Sequence, residues 1–277
     1  MNETIESVLA ADGYPLRYRS WQDGTSDTLV VTLHGLLTHS GWFSTLADAL
    51  LARGIHVIGH DRRGSGLNDQ DPGDIDGPER LLQDLGAVVA PHRARYKNIV
   101  YLGWCLGSVV SLRFLLEQPE MGEGLIMMSP DIYECHVNDK VHSVFSDPKW
   151  DTRVLPRLKV PIPVEVYTDT EHLDGFIRKD ELKLRSFTPR FLRATLRLKQ
   201  SLESDFAAFR KPSMLVLAAR DRIIDNARTE QLYRHIGSAE PEVALLDCNH
   251  GIMFEALEPL TRLIEGFSSR ALGARSA

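Results

Sequence analysis

The chain alternates between short apolar runs and longer amphipathic segments. Thr28–Leu33 and Asn98–Leu102 are short runs typical of buried strands, whereas Pro78–Val89 repeats leucine and valine at the spacing of a helix. The same rhythm predicts strands over His56–Ile58, Leu125–Met128, Met214–Leu217 and Val243–Leu246, and helices over Ser44–Leu51, Leu106–Leu116, Thr229–His235 and Leu260–Phe267. Strands that alternate with helices are joined by right-handed crossovers, so the pattern predicts an α/β fold with a mostly parallel, doubly wound sheet.

Two segments depart from this rhythm. Ile5–Arg19 reads as a β-hairpin with its turn at Asp12-Gly13. From Ile132 to Asp205 the alternation stops, first with several prolines and then with leucine and phenylalanine at helical spacing over Leu182–Leu202. Because the strand rhythm resumes afterwards, we expect residues 132–205 to form a helical cap or lid inserted into a core of residues 1–131 and 206–277.

Length and composition narrow the classes of protein. A chain of 277 residues suits one α/β domain with a lid. The net charge of -6 argues against a nucleic-acid binder, and three cysteines without C-x-x-C spacing argue against a disulfide framework or a zinc site. The first residues lack the pattern of a signal peptide, and no apolar run approaches the ~20 residues that span a bilayer. We therefore expect a cytoplasmic protein without a membrane span, a metal or a cofactor.

The strongest chemical signal is Gly103-Trp104-Cys105-Leu106-Gly107, which stands between a predicted strand and a predicted helix. This is the context of a G-x-S-x-G nucleophile elbow, whose small flanking residues let the strand and helix approach each other. Cysteine occupies the serine position, and the following helix N-terminus favours a thiolate. A buried, inert cysteine between two incidental glycines is the alternative interpretation.

An acid and a histidine follow the elbow in the expected order. Asp221 ends the predicted strand Met214–Leu217, and His250 follows the last predicted strand. Ligand chemistry gathers at the carboxyl ends of such strands, so we predict a Cys105–His250–Asp221 triad. Asp131 is the main rival acid because it also follows a strand; Asp225 and Asp247 are weaker rivals.

The oxyanion hole of this arrangement needs two backbone N–H groups. One is expected from Leu106, directly after the nucleophile, and the other from Leu36 in the loop after Thr28–Leu33, with Leu37 as an alternative. The side chain of His34 in that loop is expected to pack beside the site.

These motifs resemble the monoglyceride-lipase and lysophospholipase branch of the α/β-hydrolases. The matching pieces are Asp12-Gly13 with Leu16-Arg17-Tyr18, His34-Gly35 with His39-Ser40-Gly41, Asp61-Arg62-Arg63-Gly64-Ser65-Gly66, the elbow, Arg220-Asp221 with Arg222-Ile223-Ile224-Asp225, and Asn249-His250 with Phe254-Glu255. The resemblance implies an α/β-hydrolase fold, an acylated nucleophile at Cys105, and the triad and oxyanion roles given above. The family has serine at the elbow; a cysteine there is similar to dienelactone hydrolases, polyhydroxyalkanoate synthases and some thioesterases.

A cysteine nucleophile would form a thioester acyl-enzyme, which exchanges with other thioesters and yields to amines more readily than an ester does. The leading hypothesis is therefore a thioesterase or acyltransferase that takes an acyl group from a small-molecule substrate, an acyl carrier protein or CoA, and passes it to water or another acceptor. The alternative is a cysteine variant of a carboxylesterase or lysophospholipase. A non-catalytic binding module is the third hypothesis, against which the complete triad weighs.

The second half of the predicted cap supplies candidate substrate contacts. Between Arg178 and Lys199 stand eight basic residues and two acidic ones, a local basic patch that either docks a carrier or is a solvated helix face. Trp104 and Leu37 are expected to contact the substrate, and Phe187 and Phe191 are expected either to line the acyl pocket or to pack the cap on the core.

Overall fold

The computed structural model describes residues 3–135, 157–159, 162–239 and 241–274. Its strands are β1 (Glu3–Leu9), β2 (Pro15–Trp21), β3 (Thr28–Leu33), β4 (His56–His60), β5 (Asn98–Trp104), β6 (Gly124–Met128), β7 (Ser213–Ala218) and β8 (Pro241–Leu246). They form one eight-stranded sheet in the order β1-β2-β4-β3-β5-β6-β7-β8. β2 runs antiparallel to β1 and β4, and every other pair is parallel. The predicted α/β class and mostly parallel sheet are confirmed.

Helices connect the strands and cover both faces of the sheet. They are α1 (Ser44–Leu51), α2 (Pro78–Arg93), α3 (Leu106–Glu117), α4 (Glu171–Lys179), α5 (Pro189–Asp205), α6 (Asn226–Tyr233), α7 (Ile252–Glu255) and α8 (Leu257–Ala274). Among the described residues, the structure has no helix long and apolar enough to cross a membrane.

The alternation of side chains along each strand divides the core into two layers. In β3, Leu29 and Val31 pack in the layer beneath α2, α3 and α5, whereas Val30 packs in the layer with α1 and α8. All three side chains are fully buried. The continuous apolar runs of the sequence thus come from strands that are covered on both faces.

The segment between β6 and β7 includes α4 and α5, and residues 136–156, 160 and 161 of the predicted cap lie outside the described residues. α5 packs against α2 and α3 and buries Phe191 and Leu202 in the main core. Leu158 and Phe187 form an isolated β-bridge in the same segment. The division of the chain into a core and a cap remains a prediction.

The structure corrects several element boundaries. α4 was not predicted, and α5 begins at Pro189 rather than at Leu182 because Thr188 caps it, its side chain accepting a hydrogen bond from the N–H of Phe191. The last helix extends from Leu257 to Ala274, well beyond the predicted Leu260–Phe267. The hairpin and the other predicted strands and helices are present, with boundaries that shift by a few residues.

Candidate active site

Cys105 stands on a sharp turn between β5 and α3. Its backbone has φ 53° and ψ −119°, a conformation that costs a non-glycine residue about 1–3 kcal/mol. The flanking glycines are required by close approach: a Cβ at Gly107 would lie 2.1 Å from the carbonyl oxygen of Leu33, and one at Gly103 would lie 2.4 Å from the Cα of Ser108. The predicted strand–elbow–helix geometry is therefore present around the thiol.

Cys105 is only 8% exposed. Burial raises the pKa of Cys105 well above its ordinary value, and the negative charge of Asp131 raises it further. Lys199 and the amides of Leu106 and Leu36 lower the pKa, but by less. The amide of Leu106 at the helix N-terminus thus acts in the expected direction, but burial outweighs it, and the resting group is a neutral thiol.

Two backbone N–H groups act on the sulfur. The amides of Leu106 and Leu36 both lie near enough to the thiol of Cys105 to lower its pKa. They are the two groups that the sequence predicts for the oxyanion hole. Leu37 is buried in the core, where its carbonyl accepts a hydrogen bond of 2.8 Å from the N–H of Leu184.

Arg62 holds the loop that carries the Leu36 amide. Its buried guanidinium donates to the carbonyl oxygens of His34, Gly35 and Leu36 at 2.7, 2.9 and 3.0 Å. The ring of Phe191 lies under the guanidinium, 5.9 Å from ring centre to Cζ. Burial lowers the pKa of Arg62 to about 10, which leaves it charged at neutral pH. Three bonds from one planar group fix the path of this loop.

His34 supports the same loop from inside. Its Nε2 accepts the N–H of Arg62 at 3.2 Å, and its Nδ1 lies 2.9 Å from the carbonyl oxygen of Gly35. Burial and the charge of Arg62 lower the pKa of His34 well below its ordinary value. The neutral ring with its proton on Nδ1 satisfies both contacts, in keeping with a packing role for His34.

His250 and Asp221 form a buried pair. Nδ1 of His250 lies 2.8 Å from Oδ2 of Asp221, and the other carboxylate oxygen accepts the N–H groups of Ile223 and Ile224 at 2.9 and 3.0 Å. Burial alone raises the pKa of Asp221, but His250 and the two amides outweigh it and hold the pKa below its ordinary value. Asp221 is therefore ionised and fixes the imidazole with Nε2 free to act.

The backbone of His250 is also anchored. Its N–H donates to the carbonyl oxygen of Val166 at 3.1 Å, and its own carbonyl accepts the indole N–H of Trp104 at 3.0 Å. The rings of Trp104 and His250 lie 5.1 Å apart. Val166 belongs to the segment between β6 and β7. This segment is therefore in direct contact with the backbone of His250.

The rival acids have other partners. Asp131 accepts a hydrogen bond of 2.6 Å from Nζ of Lys199. Asp225 caps α6 by accepting the N–H of Arg228, and Asp247 is an exposed partner of Arg220. Asp221 is the acid that the structure places on His250.

Cys105 and His250 open onto one cavity of about 80 Å³, small beside the roughly 300–1,000 Å³ of typical ligand pockets. Among the described residues, its walls comprise Gly35, Leu36, Thr38, Trp104, Cys105, Asp131, Glu134, Ile162, Tyr167, Ile223 and His250. Trp104 thus lies where the sequence predicts a substrate contact. Phe187 and Phe191 pack in the core with Leu37, so their contact with a substrate stays a prediction without geometric support.

The basic segment is largely paired within the molecule. Arg190 pairs with Asp74 beside α2, and Arg178 pairs with Glu165 and Asp174. Lys199 turns inward to Asp131 and Glu134. The expectation that Arg190 faces solvent or a carrier is wrong, because its charge is already matched by a carboxylate of the core.

Sequence reasoning missed three features of this site: the Arg62 clamp, the contact of Val166 with His250, and the pairing of Lys199 with Asp131 and Glu134. A signal for the first was present, since Arg62 belongs to the Asp61–Gly66 motif that carries part of the family resemblance. The other two join residues far apart in sequence, and no local pattern marks them.

A strained elbow, a histidine–carboxylate pair and two converging amides are the arrangement of an α/β-hydrolase. The serine aminopeptidase S33 family model matches residues 24–256, so the chain belongs to this family of hydrolases. The expected fold and the resemblance to the monoglyceride-lipase branch are confirmed.

Individual relatives agree with this assignment. The chain is 22% identical to monoglyceride lipase of Homo sapiens over 272 residues, which cover 95% of this chain and 88% of the lipase. It is 23% identical over 225 residues to phospholipase YtpA of Bacillus subtilis, covering 79% of this chain and 85% of that protein. Its fold is similar to the crystal structure of a soluble variant of monoglyceride lipase from Saccharomyces cerevisiae in complex with a substrate analog, with a TM-score of 0.87, 18% identity, and coverage of 98% and 96% of the two chains.

Proposed function

We propose that this protein is a carboxylic-ester hydrolase that works through a Cys105–His250–Asp221 triad. The observation that carries the proposal is the 2.8 Å contact between His250 and Asp221 at a cavity that also contains the Cys105 thiol. The relatives are a lipase and a phospholipase, both named for ester substrates. The alternative hypothesis of the sequence, ester hydrolysis, is therefore favoured over transfer from a carrier thioester.

The neutral thiol defines how the first step proceeds. Nε2 of His250 removes the proton of Cys105 as the sulfur attacks the ester carbonyl carbon, so that charge develops only when a substrate is bound. The carbonyl oxygen becomes an oxyanion and accepts the N–H groups of Leu36 and Leu106. The tetrahedral intermediate collapses when its C–O bond breaks and the imidazolium passes its proton to the leaving alkoxide.

The second half of the cycle releases the acid. His250 takes a proton from water, the resulting hydroxide attacks the thioester carbonyl, and the same two amides hold the new oxyanion. The C–S bond then breaks, the carboxylic acid leaves, and the proton returns from His250 to the sulfur of Cys105. Asp221 keeps one tautomer of the imidazole throughout.

Acyl transfer to an amine or thiol is a second candidate, favoured specifically by the cysteine. A thioester intermediate reacts with such acceptors more readily than an oxygen ester does. The paired state of Arg178, Arg190 and Lys199 removes much of the charge on which carrier docking was based.

Labelling of the nucleophile tests the proposal. Incubation with a p-nitrophenyl ester should release p-nitrophenol and leave an acyl group on Cys105, detectable by mass spectrometry of the quenched protein. Cys105→Ala should lose both signals, while Cys135→Ala, which removes an exposed cysteine, should keep them. Full turnover by Cys105→Ala would refute the proposal. Addition of hydroxylamine or a thiol separates the second candidate, because transfer products would then exceed the free acid.

A further inference from the structure

Two carboxyl groups share the cavity with the thiol. Asp131 follows β6 and Glu134 lies three residues later, and both contribute to the cavity wall. The N–H of Asp131 donates to the carbonyl oxygen of Cys105 at 3.2 Å, which ties this acid to the nucleophile. Asp131 is also the charge that acts most strongly on the Cys105 thiol.

A lysine from α5 holds the two acids together. Nζ of Lys199 donates to Oδ1 of Asp131 at 2.6 Å and to Oε1 of Glu134 at 3.0 Å. The side chains of Asp131 and Lys199 are 8% and 13% exposed, whereas that of Glu134 is 37% exposed. A largely buried, charged cluster therefore lies beside the nucleophile.

This cluster is richer in acceptors than in donors. An ionised carboxylate offers about four acceptor positions and no donor. Within the part of the chain that the structure describes, Lys199 contacts one oxygen of each acid, so that two carboxyl groups share one lysine there. Burial and the neighbouring Asp131 both raise the pKa of Glu134, and among the described residues Lys199 opposes them. A group that donates hydrogen bonds would complement the cluster, whereas an alkyl chain would cover charged oxygens without replacing their water.

We propose that Asp131, Glu134 and Lys199 form a specificity site that binds a hydroxyl or an ammonium group on a short acyl chain of the substrate. The inference rests on the proposed function and specifies its substrate class. We assign this site to the acyl chain of the substrate rather than to its leaving group. The acyl chain stays bonded to the sulfur beside Asp131, whereas the leaving group must meet His250. The cavity of about 80 Å³ agrees with a short chain.

Three esters with equally long acyl groups test the proposal: phenyl butanoate, phenyl 3-hydroxypropanoate and phenyl 3-aminopropanoate. After correction for their rates with hydroxide, at least one donor-bearing ester should exceed the butanoate in kcat/KM by roughly tenfold or more. A preference for the hydroxyl ester identifies a neutral donor, and a preference for the amino ester identifies a cation. Equal or lower kcat/KM for both would overturn the proposal.

Variants assign the preference to the cluster. Glu134→Gln and Asp131→Asn should bring the ratio between donor-bearing and plain esters towards one, while Glu165→Gln, in the same insertion but on the exposed surface, should keep the wild-type ratio. A ratio unchanged in both folded cluster variants contradicts the proposal. If Asp131→Asn does not fold, Glu134→Gln at the more exposed position still tests the proposal.

A binding measurement separates this inference from the proposed function. If no ester is hydrolysed, the proposed function fails, and protection of Cys105 from iodoacetamide by the three corresponding anilides is compared instead. Stronger protection by a donor-bearing anilide supports the specificity site, and equal protection by all three rejects it.

Discussion

Single residues decide the chemistry of this site. Asp221→Asn replaces the carboxylate with an amide of the same size. It removes the charge that stabilises the imidazolium and that selects one tautomer of the neutral imidazole. We expect kcat to fall by on the order of 10³–10⁴ for every ester, with little change in KM. Steady-state kinetics on a p-nitrophenyl ester measure this.

The matched control for Asp221→Asn is Asp247→Asn, which alters an exposed acid close in sequence to His250. It should retain wild-type kcat. If both variants were equally active, Asp221 would not orient the base, and the 2.8 Å contact would be structural.

The triad could be predicted because each member carries a local signal. Cys105 sits between two glycines, and Asp221 and His250 each follow an apolar strand, so strand ends alone bring them together. The state of the thiol could not be predicted, since its pKa depends on how deeply the thiol is buried and on the charge of Asp131, and the elbow motif encodes neither.

At the scale of elements, Arg62 connects β4 to the oxyanion loop. Arg62→Lys preserves the charge but replaces a planar fork that holds three carbonyl groups with a single ammonium. The Leu36 amide should then be less well placed, and we expect kcat to fall roughly tenfold to hundredfold while KM changes little. If the role of Arg62 were purely structural, Arg62→Lys would lower the melting temperature and leave the kcat of the folded enzyme unchanged.

Arg63→Lys is the comparison for that prediction. Arg63 pairs with Asp12 in the turn between β1 and β2 and with Asp84 of α2, so its replacement should affect stability rather than kcat. Equal loss of kcat in both variants would remove the positioning role of Arg62.

The elbow is an element defined by close packing. In Gly107→Ala the new methyl group would meet the carbonyl oxygen of Leu33 at 2.1 Å, and this backbone atom has no room to move. We expect a loss of at least about 3 kcal/mol in the free energy of unfolding, measured by urea denaturation, with loss of activity.

Gly86→Ala provides the contrast within α2. Its added Cβ would meet a ring atom of Phe114 at an ordinary 3.5 Å, so the helix-propensity gain of about 0.5–1 kcal/mol should dominate. Similar destabilisation at both glycines would argue against a sterically constrained elbow.

The elements of the sheet were predictable, but those of the segment between β6 and β7 were less so. Strands covered on both faces give continuous apolar runs, and the helices between them repeat their apolar positions. α4 has no comparable run, and its ends are marked by acids at the start and bases at the end rather than by apolar periodicity. α5 was recognised, but its packing on α2 and α3 depends on residues far away in sequence, including Leu81 and Phe114.

At the scale of the whole molecule, the two buried histidines beside the oxyanion loop link stability to pH. Burial lowers the pKa of His60 to about 4 and lowers that of His34 in the same direction. An unfolded histidine titrates near 6.5, so between pH 6.5 and 4 the unfolded chain binds protons that the folded chain does not. The contribution of these two histidines to the free energy of unfolding is therefore fully present above pH 6.5 and is lost as the pH falls from 6.5 towards 4.

The expected size of this effect for His60 is about 3 kcal/mol at pH 4, from a difference of roughly 2.5 units between its two pKa values. Urea denaturation of the wild type between pH 7 and 5, where carboxylates contribute little, should show a falling free energy of unfolding. His60→Gln, which cannot bind that proton, should show a shallower slope whatever its absolute stability, while His235→Gln at an exposed position should keep the wild-type slope. The same slope in all three proteins would mean that folding does not lower the pKa of His60, and that its ring binds a proton in the folded protein over the same pH range as in the unfolded chain.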